Sequence, residues 1–261
     1  MSSARGNVNL PRGYISYNQV RLYQTCPKKY YFSYIEEIKT SINDRIFLGM
    51  VFHAVVEDFL KIRIEGQGPE PAQGIVLDIF KKKFVDMQKD YEICWISPPG
   101  DTEKRGSAFV KHFLSDMASA IDPMMVEQEL EVDLPGIGVK LRGIIDLVEK
   151  DFSITDFKTT TSKWSKERIK SSYLQMVIYR YLFEKSYGSV ISQLKFRIIY
   201  SKNATNIKNQ MIARNAADFD IGKMFSVIKY VVENISSGVF YKNESFYCGF
   251  CEHLDVCQKT K

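Results

Sequence analysis

The chain has 261 residues, 45% hydrophobic and 26% charged, which suffices for one large domain or two small ones around a sizeable core. Thirty-six basic against 31 acidic residues leave a net charge of +5, a balance that permits a nucleic-acid partner without demanding one. No apolar run approaches the roughly 18–20 residues that span a bilayer. Five cysteines without a recognisable secretion signal argue against a disulfide framework, so a cytoplasmic, reducing setting with no membrane contact is expected.

Residues 1–13 are polar and read as a flexible lead-in. Ser16 and Gln19 form an S-x-x-Q capping box that predicts a helix start, with an interruption near Pro27 and resumption through the aromatic run 28–38. Tyr30, Tyr31, Phe32 and Tyr34 in that run suit either a core face or stacking on unpaired bases. Apolar residues at helical spacing predict a second helix over 46–64, ended by Gly66-Gln67-Gly68-Pro69. Two more follow, over 75–91 and 103–120, separated by Ser97-Pro98-Pro99-Gly100. The period then changes to two: Val126, Gln128, Leu130 and Val132 alternate with Glu127, Glu129, Glu131 and Asp133, which predicts a strand before a Pro135-Gly136 turn. A two-stranded hairpin, a helix from Ser165 or Lys166 to Tyr187, strands over 194–200 and 207–212, and a helix over 218–235 complete the order. Cys94 reads as a small buried hydrophobe. The pattern predicts an α/β (α+β) fold: a mixed central sheet flanked by helices (123–240), a preceding helical region (14–122) and a compact cysteine-bearing end (241–261).

The hairpin, LRGIIDLVEKDFSITDFKTTT, carries the chemistry. Folding it about Asp151 sets position i against 302 − i and brings Asp146 opposite Asp156. Like charges placed so are destabilising. Asp156 and Lys158, two apart, share a strand face. Paired carboxylates with a lysine on an otherwise apolar hairpin suggest a cation, and Mg²⁺ or Mn²⁺ suits such oxygen ligands. The plain alternative is a solvated face on which Lys158 pairs with one acid.

Three further groups stand out. His53 and Glu57 lie four apart on one helix face, as do Gln175 and Tyr179. Cys248-x-x-Cys251-x₅-Cys257, with Cys26 far upstream, has the spacing of thiolates that converge on a metal, and His253 sits within the triplet as a competing ligand. A basic segment, Lys163, Lys166, Arg168 and Lys170, follows the hairpin.

Asp146 followed by Asp156-Phe157-Lys158 resembles the D…(D/E)-x-K core of the PD-(D/E)XK nuclease superfamily. Gly49-x-x-x-His53 before it and Gln175-x-x-x-Tyr179 after it resemble the RecB-like branch, and the four cysteines resemble its iron–sulfur subgroup, which includes the AddB nuclease domain and CRISPR-associated adaptation nucleases. The resemblance covers roughly residues 14–258. It implies a restriction-endonuclease-like fold and hydrolysis of DNA phosphodiesters, with single-stranded ends as substrate. It implies that His53, Asp146, Asp156 and the Phe157 carbonyl hold Mg²⁺ or Mn²⁺, that Lys158 acts as base or electrostatic clamp, and that Gln175 and Tyr179 border the site. It further implies a [4Fe–4S] cluster on Cys26, Cys248, Cys251 and Cys257, for which Zn²⁺ stands as the alternative, and a helicase or CRISPR adaptation partner. Glu127, Glu129 and Glu131 are all candidates for one more carboxylate. The length between residues 65 and 120 departs from the compact CRISPR-associated members. Two rival readings are a non-catalytic nuclease-fold module that binds DNA or docks into a helicase–nuclease complex, and a zinc-ribbon interaction protein.

Overall fold

The computed structural model describes residues 10–66 and 71–259. Most of the expected lead-in, residues 67–69 of the expected turn and the last two residues lie outside that range. At the centre, β4 (Pro123–Leu134) and β5 (Val139–Glu149) form an antiparallel pair running from Leu134↔Val139 to Met125↔Val148. The other edge of β5 is shared. β1 (Tyr14–Ile15) pairs in parallel with Lys140 and Leu141, and β6 (Ser153–Thr160) pairs antiparallel with Leu147 and Val148. β7 (Gln193–Tyr200) then joins β6 in parallel, and β8 (Lys208–Asn215) closes the sheet antiparallel to β7. A parallel neighbour requires a crossover, supplied by α6 (Lys166–Tyr187), which Ser165 caps and Gly188 ends at φ +71°.

The sheet carries an apolar core on each face. On one, Ile145, Val148, Ile154, Phe196 and Ile198 pack with α1 (Tyr17–Thr25), α2 (Pro27–Tyr30), α6 and α7 (Ile221–Ser236). On the other, Leu147, Phe157 and Ile199 pack under α3 (Asp44–Glu65), α4 (Gln73–Met87) and α5 (Pro99–Asp116) through Phe47, Val51, Val55, Phe80, Phe109 and Phe113. This is the mixed sheet between helices that the element order predicts. Among the described residues, no helix is long and apolar enough to cross a membrane.

Several local expectations need correction. Ser16 Oγ does accept the Gln19 N–H, at 3.4 Å, but the Gln19 side chain donates to the Tyr14 carbonyl and accepts from Tyr30 rather than closing a capping box. The aromatic run is not one helix: α2 gives way to a π turn at Tyr31–Ile35. Tyr30 and Phe32 are buried there and serve the core, and Tyr30 stacks on the half-buried Tyr34 at 4.9 Å. Cys94 is exposed, because alternation in the short β3 (Ile93–Cys94) turns the next residue, Trp95, inward against Phe47 and Phe84. β3 pairs with β2 (Ile42–Asn43) at the start of α3.

Candidate metal centre

β5 and β6 share only two register pairs, Leu147↔Thr155 and Val148↔Ile154, before they part. Both pairs obey the 302 − i register read from the hairpin. Asp146 and Asp156 stand one step beyond the last pair, at the mouth of the fork. β6 has by then joined β7, where Asp156 pairs with Phe196. The Phe157 N–H donates to Asp146 Oδ2 at 2.8 Å, so a carboxylate holds a backbone group where the β5 main chain no longer reaches.

α3 brings His53 over this fork. Gly49, one turn earlier, allows the approach: a Cβ there would lie 3.2 Å from Thr159 Oγ1 on β6. His53 Nε2 donates to the Phe157 carbonyl at 2.9 Å, and Nδ1 lies 3.4 Å from Asp146 Oδ2. With the proton on Nε2, Nδ1 and an ionised Oδ2 are two acceptors facing each other. Glu127 on β4 completes the cluster, its backbone at φ +47°, a region non-glycine residues seldom occupy. The ligand atoms of His53, Glu127 and Asp146 all lie within 4.8 Å of one another.

The strand alternation treats Glu127, Glu129 and Glu131 alike. The structure separates them, because Glu129 ion-pairs with Arg142 and Glu131 with Lys140, leaving Glu127 turned inward by its backbone kink. No pattern in the sequence marks that kink.

The electrostatics describe acids crowded without enough compensation. Burial pushes Asp146 up to about 6 even though Lys158 and the Phe157 N–H pull it down. Burial, reinforced by Asp146, brings Asp156 to about 6 against the pull of Lys158. Burial and then Asp146 and Glu57 drive Glu127 to about 8. His53 is held down at about 4 by burial and Lys158, so it is neutral near pH 7. Lys158 Nζ donates to Asp156 Oδ1 at 2.9 Å. Burial opposes its charge, but Asp156 and Asp146 outweigh that and raise its pKa. Asp156 Oδ2 is buried and has no hydrogen-bond partner among the described residues. An orphaned carboxylate oxygen, two facing acceptors and a third carboxylate fit a hard divalent cation.

A cleft of about 1,050 Å³ opens over the cluster, lined by His53, Glu57, Glu127 and Lys158 together with Arg45, Arg105 and Arg168. Gln175 and Tyr179 are both buried, on α6 on the opposite side of the sheet. Gln175 Nε2 donates to the Tyr179 hydroxyl at 2.8 Å, and the hydroxyl's pKa is raised by burial and by Asp146 and Asp156. They back the carboxylates from the core. Within the basic segment only Arg168 lines the cleft, stacked on the Trp164 ring at 4.6 Å.

Cys26, Cys248, Cys251 and Cys257 line a second cavity, of about 740 Å³. The Asn243 and Ser245 N–H groups donate to Cys26 Sγ at 3.5 Å and Cys248 Sγ at 3.4 Å. The segment is tied to the start of the fold by Tyr23 to the Val239 carbonyl at 2.6 Å, the Lys28 N–H to the Tyr241 carbonyl at 3.0 Å, and Lys29 to Glu252 at 2.7 Å. His253 is buried, with Nε2 3.0 Å from Ser33 Oγ and Nδ1 without a partner.

The mixed sheet between helix layers, with acids at a splayed hairpin and a lysine two residues on, defines the class of acid-centred phosphodiester-processing folds. The family model of the PD-(D/E)XK nuclease superfamily matches residues 14–258, and the chain belongs to that superfamily. A solved structure of a candidate exonuclease from Eubacterium rectale superposes with a TM-score of 0.63 at 13% identity, over 100% of this chain and 95% of its own, and so shares the fold. SSO0001 matches 84% of this chain and 87% of its own at 14% identity and a TM-score of 0.38. Rai1 of Scheffersomyces stipitis matches 94% of this chain and 77% of its own at 10% identity and a TM-score of 0.27. Among curated proteins, none matches the chain.

Proposed function

We propose that this protein is a Mg²⁺- or Mn²⁺-dependent deoxyribonuclease acting on single-stranded DNA ends. The observation that carries this reading is the fork: His53, Glu127 and Asp146 converge within 4.8 Å, with Asp156 buried beside them on Lys158, under a cleft that His53, Glu127, Lys158 and three arginines line. Asp146, Asp156, Glu127 and Nδ1 of His53 would hold the ion, which when bound supplies water activation and offsets charge at the phosphate. The Phe157 carbonyl is engaged by His53 Nε2, so its part is to orient the imidazole. Lys158, kept protonated by two carboxylates, neutralises charge that builds on the phosphoryl oxygens, a clamp role that its raised pKa supports over that of a base. Gln175 and Tyr179, bonded to each other, form the buried backing of the two acids.

The test is hydrolysis of end-labelled single- and double-stranded DNA with either ion. Asp156→Ala removes a proposed ligand and should lower the rate about a hundredfold, the upper end of what loss of an outer-shell partner alone costs. Retained wild-type hydrolysis in that variant would remove the fork from the mechanism. The E. rectale protein's exonuclease description favours action at ends, and fragments released one nucleotide at a time would distinguish this from internal cutting.

The cysteine cavity belongs to the same proposal. On the resemblance of their spacing in the sequence, these four thiols are read as holding a [4Fe–4S] cluster with a structural role, with Zn²⁺ as the alternative. Brown anaerobic protein containing iron and sulfide is the expected result. Colourless protein with stoichiometric zinc would favour the zinc-ribbon reading. The partner, a helicase or a CRISPR adaptation complex, is carried by the sequence resemblance alone, and the cytoplasmic setting by the cysteine usage.

A further inference from the structure

The cleft has two chemically distinct walls. One is apolar: Ile46, Met50 and Ala54 line it from successive turns of α3, and Ile144 faces it from β5. Ile46 is 53% and Ile144 46% exposed, so both present apolar surface to the same concave site that an occupant could cover. The strip leads to the acid cluster from both elements, since Met50 precedes His53 by three residues and Ile144 precedes Asp146 by two. The other wall is polar and cationic, formed by Lys158, Thr159, Thr160, Thr161 and Arg168. Arg168 is already ordered there, stacked on Trp164 at 4.6 Å with Nη1 donating to Thr160 Oγ1 at 3.4 Å. Among the described residues, neither Arg168 nor Arg45 has a carboxylate at ion-pair distance. Lys61, Lys83, Lys140 and Arg180, by contrast, each lie at ion-pair distance from a carboxylate.

Arg168, without a carboxylate partner, and the neighbouring threonine hydroxyls match a phosphate backbone. The apolar strip needs flat apolar faces to cover it. A duplex buries its base faces within its own stack, whereas an unpaired strand presents them. Resting on the nuclease reading, we propose that the cleft seats an unpaired strand with its phosphates along the Lys158–Arg168 wall and its bases on the apolar strip, and that Ile144 is the specificity-determining residue, seating the base beside the reacting phosphate. Strand preference then arises at the floor of the site, and trimming Ile144 changes which nucleic acid binds.

The experiment measures binding in Ca²⁺, as a non-hydrolysing ion, of three labelled probes: a short single strand, the same backbone with abasic residues, and a blunt duplex. Wild-type protein should bind the base-bearing strand about tenfold more tightly than the abasic one, the gain expected from covering half-exposed aliphatic side chains. Ile144→Thr keeps a β-branched residue on the strand and should lose most of that difference, while Ile144→Val retains it. Equal affinity of the wild type for base-bearing and abasic strands overturns the proposal, as does an undiminished difference in Ile144→Thr. A Mn²⁺-induced rise in melting temperature in Ile144→Thr verifies its fold and acid cluster. Should that rise be lost, Ile46→Gln, on the outer turn of α3, provides the same comparison. Absence of hydrolysis by wild-type protein with Mg²⁺ or Mn²⁺ would defeat the nuclease reading instead, and it is read in a separate assay.

Discussion

At the scale of single residues, the carboxylates of the fork set the pH behaviour. Asp146 and Asp156 rise from 3.8 to about 6 and Glu127 from 4.5 to about 8, so the folded protein binds more protons than the unfolded chain between those limits. Stability of the metal-free protein therefore falls as pH climbs through this window. A divalent cation reverses the trend by pairing with the ionised acids. The stabilisation it provides should be small near pH 5 and large near pH 8, as melting curves with and without Mn²⁺ would show; equal increments at both would contradict the assignment. Glu127→Gln separates stability from function at the same place. It removes a buried charge repelled by Asp146, so the metal-free midpoint near pH 8 should rise by a few degrees while the Mn²⁺ increment shrinks. Strain at a positive φ maintained beside a charge cluster is the pattern of a residue kept for its chemistry.

Among the elements, α3 and the fork strands must hold station to about an ångström, and their packing shows how. Gly106 on α5 meets α3 and α4 so closely that a Cβ would lie 2.3 Å from Phe80 Cζ and 2.5 Å from Leu48 Cδ1. Gly106→Ala should cost about 1–3 kcal/mol by overpacking, visible as a lower urea midpoint with unchanged slope. The elements were also where the sequence was most legible. The 302 − i register holds at Leu147↔Thr155, because a two-residue period allows no slip without exposing Ile154. α3 follows from Phe47, Val51, Val55 and Phe59 at helical spacing. The splay of β5 from β6 was not legible, since it depends on β6 being captured by β7, a partner some 40 residues away in sequence. Nor was the π turn at Tyr31–Ile35, where tertiary packing of Tyr30 and Phe32 overrides local preference. Glu127 was named only as one of three, because its selection lies in a backbone angle that alternation does not encode.

Over the whole molecule, charge is distributed unevenly in effect although the net excess is small. Arg45, Arg105, Lys158 and Arg168 converge on one cleft, so DNA affinity should drop steeply as salt rises toward physiological strength. Arg168→Ala should flatten that dependence by about one unit of log–log slope; an unchanged slope would take Arg168 off the phosphate path. The cysteine cavity acts at the same scale, joining Cys26 to residues more than 200 positions later. If it holds a cluster, metal affinity becomes folding free energy. Cys26→Ala should then lower the melting temperature and solubility together with the iron content. A soluble variant of normal stability that no longer hydrolyses DNA would contradict a structural role.

The ties between residues 23–29 and 239–252 also bear on how the chain is made. A ribosome releases residues in order, and α1 and α2 emerge long before Val239, Tyr241 and Glu252, which accept their bonds. β1 likewise waits for Lys140 and Leu141. The early helices must remain unsatisfied through most of synthesis, with Tyr23 and Tyr30 exposed to chaperones or to neighbouring nascent chains. The α3–α4–α5 layer, local in sequence, is free to collapse first. Nascent chains arrested before residue 239 should accordingly show a protease-resistant α3–α5 layer and a cleavable segment ahead of it, and protection of that segment should appear only when the last elements leave the exit tunnel.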